Sequence, residues 1–108
     1  MSDVLQAADE RHAESLRVLI VDDHDLFRTG LRNLLEEQGV QIVGEASGGT
    51  EAVRLVRELA PDVVVMDLNM PGISGVEATR QITSIAPLTR IVVPPAPLRA
   101  MSLAEAVP

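Results

Sequence analysis

The sequence contains no cysteine, tryptophan or tyrosine, and all nine of its basic residues are arginine. Without cysteine there is no disulfide framework and no thiolate chemistry, and without lysine no lysine side chain can take part in catalysis. Phe27 is the only aromatic residue, so a packed core must be aliphatic. No apolar run approaches the ~20 residues that span a bilayer, and the acidic stretch 1–15 lacks the apolar region of a signal peptide. These absences favour a cytoplasmic protein.

Length and composition are those of one small domain. The chain has 108 residues, of which 46% are hydrophobic, and its mean hydropathy is +0.19. The net charge is −7 and the isoelectric point is about 4.6. An acidic surface repels the phosphates of nucleic acids, so this chain alone is a poor candidate for binding DNA or RNA.

The apolar residues indicate four strands. Val18–Val21 and Asp62–Asp67 are apolar stretches that end in charged residues, as is typical of strands buried on both faces of a parallel sheet. The stretch VQIVGEA predicts a short strand near a sheet edge, and RIVV predicts a fourth strand.

Between the strands, apolar residues recur at helical spacing. One helix is predicted to end at Gly39, a second at Pro61, and a third to run from Ser74, which forms a capping box with Glu77, to about Ile85. The order of elements is therefore βαβαβαβ, with a possible last short helix in LRAMSLAEAV. Such alternation predicts a parallel sheet with helices on both faces and right-handed crossovers.

Carboxylates follow two of the predicted strands. Asp22 and Asp23 come after the first strand, and Asp67 comes after the third. Ligands of open parallel sheets bind at the carboxyl ends of the strands. Three carboxylates that meet there repel one another, and a divalent cation relieves that cost. Because Mg²⁺ prefers oxygen ligands, the pattern predicts a magnesium site for phosphate chemistry, with one aspartate free to act as a nucleophile.

A structural explanation of the same residues stays open. An aspartate just before a helix is a common N-cap, so Asp22, Asp23 or Asp25 could serve only to cap the first helix. His24 is expected to be an exposed loop residue, since no second histidine or cysteine at metal-ligand spacing accompanies it. Gly48 and Gly49 are interpreted as helix entry, because no lysine and no P-loop spacing follow them.

With these residues placed, the chain resembles a response-regulator receiver domain of the LuxR type (NarL/FixJ type). The matching stretches are RVLIVDDHDLFRTGLRNLLE, IVGEASGGTEAV and PDVVVMDLNMPGISGVEATRQI. The resemblance implies a flavodoxin-like, doubly wound parallel sheet, truncated here after the fourth strand. It covers roughly the first four of five βα units.

The resemblance also implies roles for individual residues. Asp67 matches the phosphoacceptor, which takes a phosphoryl group from a sensor histidine kinase. Asp23 matches a Mg²⁺ ligand, Asp22 is its acidic neighbour, and the backbone carbonyl of Asn69 completes the metal site. Such a domain is a signalling module and not an enzyme, beyond self-phosphorylation and autodephosphorylation.

Two features depart from the family pattern. The family places a threonine or serine at the end of the fourth strand, and this chain has Pro95 there, which offers neither a hydroxyl nor an N–H. The family's lysine and fifth strand have no counterpart, and neither does its C-terminal DNA-binding domain. Switching is therefore expected to be impaired. We divide the chain into a flexible leader, 1–15, a receiver part, 16–93, and an atypical proline-rich segment, 94–108.

Two other functions are compatible with the sequence. Asp23 to Asp25 has the D-x-D spacing of phosphohydrolases of the haloacid dehalogenase type, although the chain is short and lacks a lysine for that role. Alternatively, the chain is a non-signalling interaction module. An uncovered edge at Ile91–Val93 would favour a homodimer or a swapped oligomer.

Overall fold

The structure, a computed structural model, describes residues 16–70 and 72–94. The strands are β1 (Arg17–Val21), β2 (Gln41–Ala46), β3 (Val63–Met66) and β4 (Arg90–Val92), and the helices are α1 (Asp25–Glu37), α2 (Gly49–Leu59) and α3 (Gly75–Ile85). The four strands form one parallel sheet in the order β2-β1-β3-β4. This confirms the predicted fold class and the position of β2 at an edge.

Residues 18–21 of β1 and all of β3 are apolar because each face of these strands is covered by helix. Val18 and Ile20 of β1 pack in one cluster with Phe27, Leu31 and Leu35 of α1. Leu19 and Val21 point to the other face and pack in a second cluster with residues of α2 and α3, among them Ala52, Val56, Ala78 and Ile82. Alternation of side chains along a strand therefore places α1 on one face of the sheet and α2 with α3 on the other.

The helix boundaries follow local capping. The Nδ1 atom of His24 accepts a hydrogen bond from the backbone N–H of Phe27 at 3.2 Å, so His24 is the N-cap of α1. His24 lies outside the helix, as predicted, but it is half-buried rather than exposed, and it provides the cap that the sequence analysis considered only for Asp22, Asp23 or Asp25. Asp25 is instead the first helical residue, where its charge suits the positive end of the helix dipole.

The other two helices start where the sequence predicted. Gly48 is the N-cap of α2, and the Oγ atom of Ser74 accepts a hydrogen bond from the N–H of Glu77 at 3.1 Å at the start of α3. No helix within the described residues is long and apolar enough to cross a membrane. The predicted leader and the predicted last short helix lie outside the described residues.

Candidate metal and phosphoacceptor site

The sheet brings the carboxylates of two strands to one position. In the register of β1 and β3, Val21 pairs with Met66, so Asp22 and Asp67 leave the sheet at the same level. The N–H of Asp67 donates to the carbonyl oxygen of Val21 at 2.9 Å. β1 and β3 flank the point where the strand order reverses, which is where open α/β sheets bind their ligands.

Three carboxylates converge at this point. One carboxylate oxygen from each of Asp22, Asp23 and Asp67 can be chosen so that all three lie within 4.8 Å of one another. Asp22 and Asp67 are buried, with 2% and 5% of their surface exposed, whereas Asp23 is exposed. A cluster of hard oxygen donors, open to solvent on one side, suits a small divalent cation that keeps part of its water shell.

Local backbone orients the two buried carboxylates. The N–H of His24 donates to Oδ1 of Asp22 at 2.7 Å, and the N–H of Asn69 donates to Oδ1 of Asp67 at 3.0 Å. In both cases the donor is two residues after the aspartate, which is the geometry of an Asx turn. The two strand ends therefore use the same device to fix one oxygen of each side chain.

Asn69 lies in the loop after Asp67, and its backbone N–H contacts that side chain. Its role as a carbonyl ligand stays a prediction. Pro95, which the sequence analysis predicted to stand at the switch position, lies outside the described residues.

The start of α3 packs directly on the backbone of Asp67. A Cβ atom added to Gly75 would clash with the carbonyl oxygen of Asp67 and would lie 2.9 Å from its carbonyl carbon. The N–H of Gly75 also donates to the carbonyl oxygen of Leu68 at 3.3 Å. Only glycine leaves room for α3 to approach the third strand end this closely.

An arginine that the sequence did not identify contacts the backbone next to the carboxylate cluster. Arg28 of α1 donates to the carbonyl oxygen of Asp22 at 2.6 Å, to Glu45 Oε1 at 2.8 Å and to Asp25 Oδ1 at 2.7 Å. Arg32 forms a second hydrogen bond with Glu45. The only sequence signal was the spacing of Asp25 and Arg28, which is that of an i,i+3 helical ion pair.

Burial and pairing act in opposite directions on these groups. Burial alone would lower the pKa of the Arg28 guanidinium, but its hydrogen bonds to Asp25 and Glu45 outweigh that effect and raise the pKa. Burial alone would raise the pKa of Glu45, and its hydrogen bonds to Arg32 and Arg28 lower it below the ordinary value. The pairs therefore stay charged at neutral pH.

The position of Asp25 does not support the alternative that the chain is a phosphohydrolase with Asp23 and Asp25 as its D-x-D pair. Its side chain is 88% exposed in the first turn of α1 and forms an ion pair with Arg28. The group of converging carboxylates contains Asp22, Asp23 and Asp67 instead. The capping alternative is also disfavoured, since His24 caps α1.

The chain matches a family of known proteins over most of its length. The family model described as "Response regulator receiver domain" matches residues 18–104. Over 79 residues the chain is 51% identical to response regulator GacA of Pseudomonas aeruginosa. The aligned stretch covers 72% of this chain and 37% of that protein. It is 54% identical over 68 residues to transcriptional regulatory protein LiaR of Bacillus subtilis, covering 62% of this chain and 32% of that protein. The chain thus spans about a third of the length of these relatives.

A solved structure shows the same fold. The crystal structure of a LuxR-family two-component response regulator from Aurantimonas sp. SI85-9A1 superposes with a TM-score of 0.69 at 42% sequence identity. The match covers 84% of this chain and 68% of that one.

Proposed function

Because this chain belongs to the response regulator receiver domain family, we propose that it accepts a phosphoryl group on Asp67 from a phosphohistidine of a sensor histidine kinase. The observation that carries the proposal is the convergence of the Asp22, Asp23 and Asp67 carboxylates at the carboxyl ends of β1 and β3. A buried carboxylate with one oxygen fixed by a backbone N–H is suited to act as the nucleophile.

The chemical step is a direct displacement at phosphorus. One oxygen of the Asp67 carboxylate forms a bond to phosphorus, and the phosphorus–nitrogen bond of the phosphohistidine breaks. The electron pair of that bond stays on the imidazole nitrogen of the kinase. The hydrogen bond from Asn69 N–H to Oδ1 holds the carboxylate in one orientation during the attack.

Asp22, Asp23, Asp67 and the backbone carbonyl of Asn69 would hold Mg²⁺, and their all-oxygen donor set fits that ion. The ion, when bound, supplies positive charge that offsets the charge of the incoming phosphoryl group. Asp22 and Asp23 thus contribute ligands, and Asp67 contributes both a ligand and the nucleophile.

The test is phosphorylation of the 108-residue chain with acetyl phosphate, followed by intact mass spectrometry. With Mg²⁺ we expect a mass increase of one phosphoryl group. With EDTA we expect no increase, because the carboxylates alone repel the anionic donor.

Two variants make this test specific. Asp67→Ala should abolish the adduct, whereas Glu58→Gln, which changes an exposed carboxylate of α2 outside the cluster, should leave it intact. The absence of an adduct on the wild-type chain would overturn the proposal, and so would an adduct that survives in Asp67→Ala.

The name of the relative LiaR, a transcriptional regulatory protein, favours a parent protein that regulates transcription. Such a parent would contact DNA through a further domain, since the net charge of −7 on this chain opposes approach to a phosphate backbone. Phosphorylation of Asp67 by a sensor kinase would be the input to that parent.

Self-association is a second candidate function, and the edge strand favours it. β4 pairs with β3 on one side, and no strand pairs with its other side within residues 16–70 and 72–94. Leu88 and Val93 near its ends are 92% and 43% exposed. Exposed edges of this kind invite pairing with another chain.

Light scattering at low and high protein concentration tests this second function. We expect an oligomer that Val93→Lys dissociates and that Val76→Lys, on an exposed position of α3, does not. A monomer at every concentration would contradict it.

A further inference from the structure

We propose that Arg28 is a positioning residue for the cation site, holding the Asp22–Asp23 segment where its carboxylates meet Asp67. The inference rests on the proposed function, since it concerns the affinity of the same site for Mg²⁺. It assigns a role to a side chain that lies outside the carboxylate cluster.

The contacts of Asp22 show why a support is needed there. Its N–H donates to the carbonyl oxygen of Ala46 in β2 at 3.0 Å, and its carbonyl oxygen accepts from Arg28 at 2.6 Å. Asp22 directly follows β1, and the neighbouring strand β2 holds its N–H. The guanidinium fixes the carbonyl side, from which the backbone continues to Asp23.

Hydrogen bonds join Asp22, Arg28 and β2 in a closed ring. Arg28 Nε donates to Glu45 Oε1 at 2.8 Å, and Glu45 precedes Ala46 in β2. β2 therefore holds Asp22 twice, once directly through Ala46 and once through Glu45 and Arg28. Because Asp22 is held at both its N–H and its carbonyl oxygen, the end of β1 is restrained in two directions, which a single hydrogen bond cannot do.

The shape of the guanidinium suits this task. Arg28 contacts three acceptors through three different nitrogens, on Asp22, Glu45 and Asp25. A planar group with five N–H donors in fixed directions can reach all three, whereas a lysine ammonium is a point charge on a flexible stem. The Arg28 side chain is only 17% exposed, so the neighbouring structure also limits its motion.

The same helix offers a matched control. Arg32 also pairs with Glu45, and with Glu36 at 3.4 Å, but none of its hydrogen bonds reaches the Asp22–Asp23 segment. Arg32→Met removes a positive charge and a bond to Glu45 while leaving the Arg28–Asp22 bond in place. A general effect of charge or stability would appear in both variants, and a positioning effect only at Arg28.

The experiment measures Mg²⁺ binding to the full 108-residue chain by isothermal titration calorimetry, with folding of each variant checked by circular dichroism. Loss of a residue that orients a metal ligand typically weakens metal binding 10- to 100-fold. We expect Arg28→Met to raise the Kd for Mg²⁺ roughly tenfold, Arg28→Lys to raise it less, and Arg32→Met to leave it near the wild-type value. If Arg28→Met does not fold, Arg28→Lys alone is compared with Arg32→Met.

The outcomes separate this inference from the proposed function. If the wild-type chain binds Mg²⁺ and the folded Arg28 variants bind it equally well, the positioning role is overturned and the cation site stands. Equal weakening by Arg32→Met also overturns the positioning role. If the wild-type chain binds no Mg²⁺, the proposed cation site fails and this inference fails with it.

Discussion

Gly75 at the start of α3 packs against the main chain of Asp67 so closely that a Cβ atom would overlap the Asp67 carbonyl oxygen. Backbone atoms cannot move aside as the end of a flexible side chain can. The first turn of α3 and the segment that carries the proposed phosphoacceptor are therefore one packed unit. A change at Gly75 should affect both stability and site geometry.

We predict that Gly75→Ala destabilises the fold by roughly 1–3 kcal/mol, the usual cost of overpacking. Gly30→Ala is the matched control, because a Cβ atom at this position in α1 meets nothing within 4 Å. That variant should be about 0.5–1 kcal/mol more stable than wild type, since alanine is the better helix former. Urea denaturation of both variants measures the difference. Equal stability of the two variants would show that α3 can shift away from Asp67 at little cost.

The capping hydroxyl of Ser74 gives a second prediction on the same unit. Ser74→Ala removes the acceptor of the Glu77 N–H and should cost roughly 0.5–2 kcal/mol. Ser84→Ala, at an exposed position within α3, removes a hydroxyl without removing a cap and should be neutral or slightly stabilising. Thermal denaturation of both variants measures the difference in stability. A loss of stability in Ser84→Ala as large as in Ser74→Ala would contradict the capping role.

Much of the fold could be predicted because the pattern of apolar residues within each strand and helix reflects which of its faces are buried. Val18–Val21 is apolar at every position since both of its faces are covered, and Phe27, Leu31 and Leu35 recur every four residues on the buried side of α1. Leu34 has the same apolar character but is 39% exposed. Periodicity thus identifies the helix but does not by itself identify every buried residue.

The acidic half of the site was also predictable, because strand ends of a parallel sheet share one edge. The contacts of Arg28 with Asp22 and Glu45 could not be predicted in this way. Arg28 and Glu45 are 17 residues apart and lie on different elements. No local pattern specifies that pairing, which depends on how α1 packs across β1 and β2. Nor does sequence spacing distinguish His24 from Asp25 as the cap, since both precede the apolar residues of α1.

Glu45 should make stability depend on pH. Its folded-state pKa is lowered, despite burial, by hydrogen bonds to Arg32 and Arg28. Between the folded and unfolded pKa values the unfolded chain binds more protons, so stability rises with pH in that window. The contribution of Glu45 is complete above its unfolded pKa of about 4.3, and it is lost as the pH falls through the lower folded value.

The measurement compares wild type with Glu45→Gln by urea denaturation from neutral pH to below pH ~4. The difference in unfolding free energy should be largest at neutral pH and should shrink on acidification. Glu58→Gln is the control, since Glu58 pairs with Arg54 on an exposed face and such pairs contribute only about 0–1 kcal/mol. A pH-independent difference for Glu45→Gln would mean that its ion pairs do not stabilise the fold.

Pro95 gives the last prediction, which rests on phosphorylation of Asp67. It lies outside the described residues, and the resemblance to receiver domains predicts that it stands where the family has a threonine or serine. A threonine hydroxyl can donate a hydrogen bond to a phosphoryl oxygen, and proline has neither that hydroxyl nor a backbone N–H. The wild-type chain should therefore accept the phosphoryl group without a conformational response.

Pro95→Thr should restore a response, and Pro95→Val separates the hydroxyl from the removal of proline, because valine has the shape of threonine without the oxygen. Hydrogen exchange of each chain, with and without acetyl phosphate and Mg²⁺, is the measurement. A donor-dependent change in the exchange of α3 and β4 is expected only in Pro95→Thr, and it should vanish when Asp67→Ala is added. A similar change in Pro95→Val would assign the effect to the backbone, and one in the wild-type chain would show that switching needs no hydroxyl at this position.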